Sequence, residues 1–385
     1  MMKKSILFAA LAAAVAMPSC SSDEAQAVNE GAGIKFSVSA GKQSRAIAVD
    51  NNSINKFHVW AVAANNPGAF FMNTDVTKDG GNWTYSPTKF WPQANIVNFF
   101  AISAGTSAGC NLTDITGAVS FSESEGKKVG MVLNNYTVVD KANLDVLYAA
   151  CYGASKKTGT VALNFRHALS QLAFAAKCTN SDLTIRVKSI RVENIANKGT
   201  LAGPKATTQN QLLAGNTTTE TGDNWGKWSG QTGSATYTAP FNADFNVPLN
   251  STATEYSKNG DKYDGLLVLP QTITAWDMQS FGSSLKGSRF LIECQILSGT
   301  EQTQIWPSTG EYAEVAIPVP AHTWQQGMRY LYTFVFNTGA GYTPGPGPDP
   351  EDPENPGGPE PVLKDIKISV TVDEFQNGGN TDVNM

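Results

Sequence analysis

Two short patterns in this 385-residue chain contain the residue types that enzymes use as nucleophiles. Gly105-Thr106-Ser107-Ala108-Gly109 matches the G-x-S-x-G pattern, in which a strand leads to a nucleophilic serine and a helix follows directly. Cys110 to Asp114 is typical of a loop, so the helix that the motif requires is not predicted. Ser283 and Lys286 have S-x-x-K spacing but lack the partner motifs of that chemistry.

Histidine side chains are too few for a convincing metal or acid–base site. The three histidines, His58, His167 and His322, lack metal-ligand spacing, and no H-E-x-x-H motif occurs. Asp261 and Asp264 flank a turn and could hold calcium, although such a pair more often forms a hairpin turn. We therefore expect no enzymatic activity, no cofactor and no metal.

The N-terminus has the pattern of a targeting signal. Lys3 and Lys4 precede an apolar stretch, Ser5 to Met17, that is too short to span a bilayer. The stretch is followed by Pro18-Ser19-Cys20, and a cysteine after small residues at this point resembles a lipobox, which predicts that Cys20 is acylated. The acidic segment Ser21 to Glu24 is similar to a lipoprotein surface-export tag. The alternative is an ordinary secretory signal that contains a cysteine by chance.

Composition excludes some partners and indicates the compartment. The 28 basic and 33 acidic residues form no basic stripe, so we expect no nucleic-acid partner. An exported chain lies where disulfides are permitted. Cys110, Cys151, Cys178 and Cys294 could pair in three ways or stay as buried thiols.

Short alternating segments separated by turn residues predict an all-β chain of tandem β-sandwiches. His167 to Leu172 is the main helical candidate, of one or two turns, and the boundary between sandwiches is expected near residues 165 to 180. The predicted internal strands are Phe57–Ala63, Trp83–Tyr85, Ile96–Ile102, Val161–Phe165, Leu172–Ala176, Thr184–Asn194, Gly265–Leu269, Arg289–Ile296, Tyr312–Ile317 and Arg329–Phe336.

The first and last predicted strands are near copies of each other. Ile34–Ala40 (IKFSVSA) and Ile366–Val372 (IKISVTV) are identical at four of seven positions. Both alternate apolar and polar residues, as half-buried strands do. The aligned apolar positions are Ile34, Phe36, Val38 and Ala40 in the first copy and Ile366, Ile368, Val370 and Val372 in the last. One groove could therefore accept either strand. The alternative is that the two segments look alike only because any two strands rich in Val, Ile and Ser do.

The last strand follows a segment unlike the rest of the chain. Thr338–Pro361 holds eight Pro, six Gly and five acidic residues, with no Lys or Arg. Such a composition cannot bury a core and predicts an extended linker. At ~3.1 Å per residue in polyproline form its reach is on the order of 70 Å. That reach would let the last strand dock on a neighbouring molecule.

Several local motifs together resemble the fimbrillins, the Mfa-like and FimA-like pilus lipoproteins of Bacteroidetes. The resemblance runs through most of the secreted chain, and its order and spacing are more specific than any one piece. The motifs are Ser44-Arg45-Ala46, Ile54–Trp60, Trp83-Thr84-Tyr85, Lys89–Pro92, Phe99–Ala101, Asp145–Ala149, Leu163–Leu172, Leu267–Gln271 and Trp324–Tyr330.

The resemblance implies two transthyretin-like β-sandwiches and assembly by strand exchange. In such a pathway a trypsin-like, Arg-specific surface protease cuts after an arginine, here between Arg45 and Ala46. The cut removes the lipid and the first strand, and a neighbour's Ile366–Val372 fills the groove. Arg45 could instead be an ordinary surface arginine in a loop.

The resemblance and the local patterns together predict a surface-exposed outer-membrane lipoprotein whose mature form lies in an extracellular pilus and supports adhesion. Its partners would be other pilus subunits, the protease and, before cleavage, the membrane. The alternative is a monomeric glycan-binding lipoprotein in which Trp91, Trp225, Trp228 or Trp306 stacks on sugars rather than packing in a core. The expected organisation is a signal peptide 1–20, a removed leader and strand 21–45, sandwiches 46–170 and 171–337, a linker 338–361 and a donor segment 362–385.

Overall fold

A computed structural model of the chain describes most residues between 33 and 383. The described residues are 33–40, 54–63, 66–92, 96–104, 112–124, 126–138, 145–156, 159–203, 226–239, 245–247, 252–259, 262–263, 265–337, 340–347, 357–363, 367–374 and 382–383. Cys20, Arg45, Ala46, Cys110, Trp225 and Ile366 lie outside these ranges, as do Gly105 to Gly109, Asp261 and Asp264.

Sheet 1 contains seven strands and curls around a core of its own. Almost all the buried residues of that core come from this one sheet, the exceptions being the adjacent Ile34, Ile54 and Trp91. With strands numbered in chain order, sheet 1 runs β1 (Lys35–Ala40), β9 (Thr160–His167), β8 (Val146–Ala154), β5 (Val97–Ala104), β2 (Lys56–Ala63), β3 (Met72–Asp79) and β4 (Asn82–Thr84).

Sheets 2 and 3 pack face to face as a β-sandwich. Phe290 of sheet 3 lies edge-on to Phe174 and Phe334 of sheet 2, with ring centroids 5.8 and 5.3 Å apart. Sheet 2 contains β16 (Thr254–Glu255), β10 (Ser170–Cys178), β25 (Met328–Phe336), β26 (Lys367–Glu374) and β27 (Asp382–Val383), with β19 (Leu266–Val268) on β10. Sheet 3 contains β14 (Ala235–Thr238), β11 (Leu183–Ile195), β21 (Arg289–Ser298) and β22 (Thr303–Trp306), with β15 (Phe245–Val247) on β11 and β23 (Ala313–Pro318) on β21.

Sheet 4 joins the two halves of the chain. Its strands are β13 (Lys227–Thr232), β12 (Lys198–Ala202), β7 (Lys127–Thr137) and β6 (Val119–Ser124), so two come from each side of residue 170. Met131 and Leu133 of sheet 4 share one core with Trp60 and Phe100 of sheet 1 and with sheets 2 and 3. The central strands of sheet 1 are therefore buried on both faces. Two small ribbons, β17 (Lys258–Asn259) with β18 (Lys262–Tyr263) and β20 (Thr272–Ile273) with β24 (His322–Thr323), complete the strands.

The predicted all-β fold of packed sheets is confirmed, but two local predictions were wrong. His167 to Leu172 is not helical, since β9 ends at His167 and β10 begins at Ser170. Cys110 to Asp114 was predicted as loop, yet α1 (Leu112–Thr116) begins within it. Leu112 and Ile115, three residues apart, share one face of that turn and are buried in the large core.

The Pro/Gly segment also differs from the extended linker that its composition predicted. Residues 340–347 and 357–363 run back along each other, and we call this pair the C-terminal ribbon. Ala340 N donates to Val362 O (3.0 Å), Thr343 N to Glu360 O (2.7 Å) and Gly347 N to Gly358 O (3.1 Å). Proline removes its own donor but leaves carbonyl acceptors, so the other residues of the segment can still pair.

Candidate strand-exchange site

β1 places its apolar side chains in the core of sheet 1, as the alternating sequence predicted. Ile34 and Phe36 are buried, with 2% and 6% of their surface exposed, whereas Lys35 and Ser37 are exposed. Val38 packs against the same core. The strand runs parallel to β9, with Phe36 opposite Val161 and Val38 opposite Leu163.

Phe36 fills an aromatic pocket. Its ring centroid lies 5.6 Å from that of Phe57, 5.7 Å from Tyr85 and 5.9 Å from Phe99, in edge-to-face arrangements. Such pairs add about 0.5–1.5 kcal/mol each beyond the burial of apolar area. Without β1, the rings of Phe57 and Phe99 would border an empty groove.

The start of β1 also bonds to the opposite edge of the curled sheet. Ile34 N donates to Lys89 O at 2.8 Å, and Tyr85 Oη donates to Ile34 O at 2.8 Å. Gly33 forms an isolated bridge with Phe90. β1 therefore pairs with β9 along one side and is tied at its start to residues 85–90 on the other, so it closes sheet 1. The Trp83-Thr84-Tyr85 motif by itself gives no sign that Tyr85 bonds to β1.

β26 lies within sheet 2, between β25 and β27, in the sandwich of sheets 2 and 3, which we call the second sandwich. It pairs antiparallel with β25, and Ile368, Val370 and Val372 lie opposite Phe334, Tyr332 and Tyr330. Val370 is 3% exposed, and Ile368 and Val372 pack against the same large core. The three described apolar residues of the predicted donor strand thus share one buried face.

The two near-identical strands lie on different sheets and run in different senses relative to their neighbours. β1 is parallel to β9, and β26 is antiparallel to β25. The sequence alignment places Ile368 where Phe36 stands, Val370 where Val38 stands and Val372 where Ala40 stands. An incoming β26 could thus offer apolar side chains at every inward position of the β1 groove.

The described cysteines are free and buried. Burial raises the pKa of the Cys151 thiol to about 12, and it raises the pKa values of Cys178 and Cys294 as well. These thiols are therefore protonated and unreactive at neutral pH. No disulfide joins the three, which agrees with the buried-thiol alternative for this part of the chain.

The polar residues that could do chemistry make structural pairs. His167 Nδ1 lies 2.6 Å from Asp145 Oδ2 inside the fold, and His58 Nδ1 lies 2.6 Å from Asp75 Oδ1 on β3. Burial lowers the pKa of His322. Among the described residues, no group of three or more His, Cys, Asp or Glu side chains could hold a metal ion.

The Fimbrillin-like family model matches residues 44–346, most of the chain. The chain belongs to the fimbrillin-like family. The resemblance inferred from its motifs is thereby confirmed. The matched range contains neither β1 nor β26, so their assignment depends on the residues and contacts of this chain.

The fold is similar to that of a solved fimbrial protein. A fimbrial protein from Bacteroides vulgatus is 15% identical, with a TM-score of 0.55, over 89% of this chain and 99% of that one. A fimbrial assembly protein from Parabacteroides distasonis is 10% identical, with a TM-score of 0.34, over 91% and 100% of the two chains. The first likeness supports the fold alone, and the second is too distant to argue from. A search of curated proteins found no match.

One further finding concerns membranes. Of the helices in the described part of this fimbrillin, none is long and apolar enough to cross a membrane.

Proposed function

We propose that this fimbrillin is a structural subunit of a cell-surface pilus that supports adhesion and polymerises by protease-triggered donor-strand exchange. The observation that carries the proposal is β1 itself. It closes sheet 1 and places Phe36 in an aromatic pocket, and the chain ends in a near copy of it. Removing β1 would leave apolar side chains and unpaired backbone for a neighbour's strand to cover.

The proposed sequence of events begins at the membrane. Cys20 carries the lipid of the exported precursor, and an Arg-specific surface protease cuts between Arg45 and Ala46. Because Arg45 lies after the end of β1 and before the start of β2, that cut would break the chain between β1 and the rest of the protein. A neighbour's β26 then enters the groove. The subunit is not an enzyme in this scheme, and its partners are other subunits, the protease and, before cleavage, the outer membrane.

The glycan-binding alternative has less support. Trp91 and Trp228 are buried, at 5% and 6% exposure, and Trp228 Nε1 donates to Ala168 O at 2.6 Å. Two of the four candidate tryptophans therefore pack in cores rather than standing exposed as sugar-binding residues. Neither presents an open aromatic face on which a sugar could stack.

Limited proteolysis of the purified chain tests the proposal. We expect a low dose of an Arg-specific protease to create a new N-terminus at Ala46 and to produce ladders of oligomers on size-exclusion chromatography. Arg45→Ala should abolish both, whereas Lys42→Ala, which removes a basic residue of the same segment, should leave both unchanged. N-terminal sequencing identifies the cut. Oligomers that form equally well from the Arg45→Ala protein would overturn the protease trigger.

A further inference from the structure

The C-terminal ribbon is docked on the second sandwich. Ala316 of β23 and Tyr342 exchange two backbone hydrogen bonds, with Ala316 N to Tyr342 O at 2.7 Å and Tyr342 N to Ala316 O at 3.0 Å. Val362 N donates to Gly341 O at 2.7 Å, which ties the returning strand to the outgoing one. The ribbon therefore extends sheet 3 beyond β23.

Side chains anchor this ribbon as well. Ala340 and Val362 are buried in the large core, and Tyr342 packs against the small cluster of Trp276, Leu291 and Ala316. The described parts of the Pro/Gly segment thus help to cover the core of the sheets, although the segment is too polar to form a core of its own. Peeling the ribbon away would uncover all three of these contacts.

A buried charge also depends on the ribbon. Arg289 is 6% exposed, and its guanidinium carbon lies 4.8 Å from the ring centroid of Trp276. Its Nε donates to Glu193 at 2.7 Å and its Nη1 donates to Pro344 O at 2.7 Å. Loss of the Pro344 carbonyl would leave a donor of a buried cation unsatisfied, which is costly.

Gly341 shows how closely the ribbon approaches β23. Its φ is +107°, and an added Cβ would lie 2.8 Å from Ile317 Cγ1 and 2.9 Å from Ala316 O. Any other residue would be strained in this conformation and would push the ribbon outward. Composition places Gly341 in an extended linker, but its close contact with Ala316 and Ile317 is what requires a glycine here.

We propose that the ribbon stays docked on β23 when β26 is donated, so that only residues 364–366 connect the docked ribbon to the donated strand. This inference rests on the proposed strand exchange and deepens it. The four residue steps from Leu363 to Lys367 span at most about 13–14 Å, against on the order of 70 Å for a free Thr338–Pro361 tether. Neighbouring subunits would then lie in direct contact, and the 24-residue segment would act as part of the second sandwich.

Amide hydrogen exchange tests the inference without polymerisation. Val370→Asp places a charge in the core side of β26 and should release that strand, whereas Thr371→Asp on the other face is the matched control. We expect β26 amides to exchange at least tenfold faster in Val370→Asp, while those of Tyr342 and Val362 change less than threefold. Ribbon amides that speed up together with β26 would overturn the inference. If β10 and β21 also lose protection, Val370→Ala provides the same comparison with a milder change.

A disulfide staple tests the same point in the assembling protein. Thr343→Cys with Glu360→Cys joins the two strands of the ribbon, where Thr343 N bonds to Glu360 O, and removes residues 344–359 from any tether. We expect the oxidised and reduced double variant to polymerise to the same extent after cleavage at Arg45. Polymerisation only after reduction would contradict a docked ribbon. Failure of the wild-type chain to polymerise would instead count against the proposed function, and the exchange experiment would still decide the inference.

Discussion

Phe36 is the residue on which the closed core of sheet 1 most depends. Its ring contacts Phe57, Phe99 and Tyr85, and it lies on the strand that links both edges of the sheet. Truncation of a buried phenylalanine leaves a cavity and costs about 3–5 kcal/mol. We expect Phe36→Ala to lower the free energy of unfolding of the uncleaved chain by this amount, measured by denaturant titration. Lys35→Ala, on the exposed face, should change it by less than about 0.5 kcal/mol, and equal effects would show that β1 does not support the core.

Buried hydroxyl and thiol groups predict a loss of stability in alkali. Burial raises the pKa values of Cys151, Tyr148 and Tyr330 to about 12, from 9.0 for the thiol and 10.0 for the phenols. The protonated groups stabilise the fold fully below pH 9, and this contribution is lost as pH rises from about 9 to 12. We expect the unfolding midpoint to fall across that window. Tyr148→Phe should flatten the decline, and an unchanged slope would contradict the assignment.

Among the strands, β1 fills its groove with the ring of Phe36, whereas the proposed donor β26 has Ile368 at the aligned position. The alignment places Ile368 at the Phe36 position, so a donated strand should fill the aromatic pocket less completely than β1 does. In the proposed exchange, a better fit of β1 than of β26 would favour retention of β1 until the chain is cleaved. We expect Ile368→Phe to give polymers with a melting temperature several degrees higher than wild type.

Val372→Phe is the matched control, because Val372 aligns with Ala40 and should meet a smaller space. Overpacking a core costs typically 1–3 kcal/mol, so this variant should weaken the polymer or leave it unchanged. Thermal dissociation followed by light scattering measures both. If Ile368→Phe weakened the polymer as much as Val372→Phe, the proposed register of the donor strand would be wrong.

Elements with strong local patterns were predictable, and elements defined by distant partners were not. β2, β21 and β25 carry runs of apolar and aromatic residues, and β1 alternates cleanly, so their sequences indicate strands. β3 (MNTDVTKD) is largely polar and becomes a strand because it pairs with β2. Strand propensity depends on such cross-strand context, which a local window of sequence does not contain.

The candidate site shows the same division. The inward positions of β1 and the described part of β26 follow from alternation alone. The tie between Ile34 and residues 85–90, and the docking of the ribbon on β23, join parts of the chain that are far apart or weakly patterned. Composition indicates that a Pro/Gly segment has no core of its own. It does not reveal that the segment can form backbone hydrogen bonds with β23 at the edge of sheet 3.

At the scale of the whole molecule, strand exchange requires β26 to leave one sandwich and enter another molecule's sheet 1. The alignment of β26 with β1 sets Thr371 at the position of Ser39, and Ser39 lies opposite Asn164 of β9. Ser39 Oγ donates to Asn164 Oδ1 at 3.1 Å, so the two side chains are in contact. A donated strand in this register would bring Thr371 of one subunit beside Asn164 of the next.

An intermolecular disulfide between those two positions would show directly that β26 of one subunit lies beside β9 of another. Proteins carrying Thr371→Cys and Asn164→Cys are mixed, cleaved at Arg45 and oxidised, and Thr371→Cys with Ala162→Cys is the out-of-register control. We predict covalent dimers, seen on non-reducing gels, only for the first pair and only after cleavage. Dimers in both pairs, or none in the first although fibres form, would contradict replacement of β1 by a neighbour's β26.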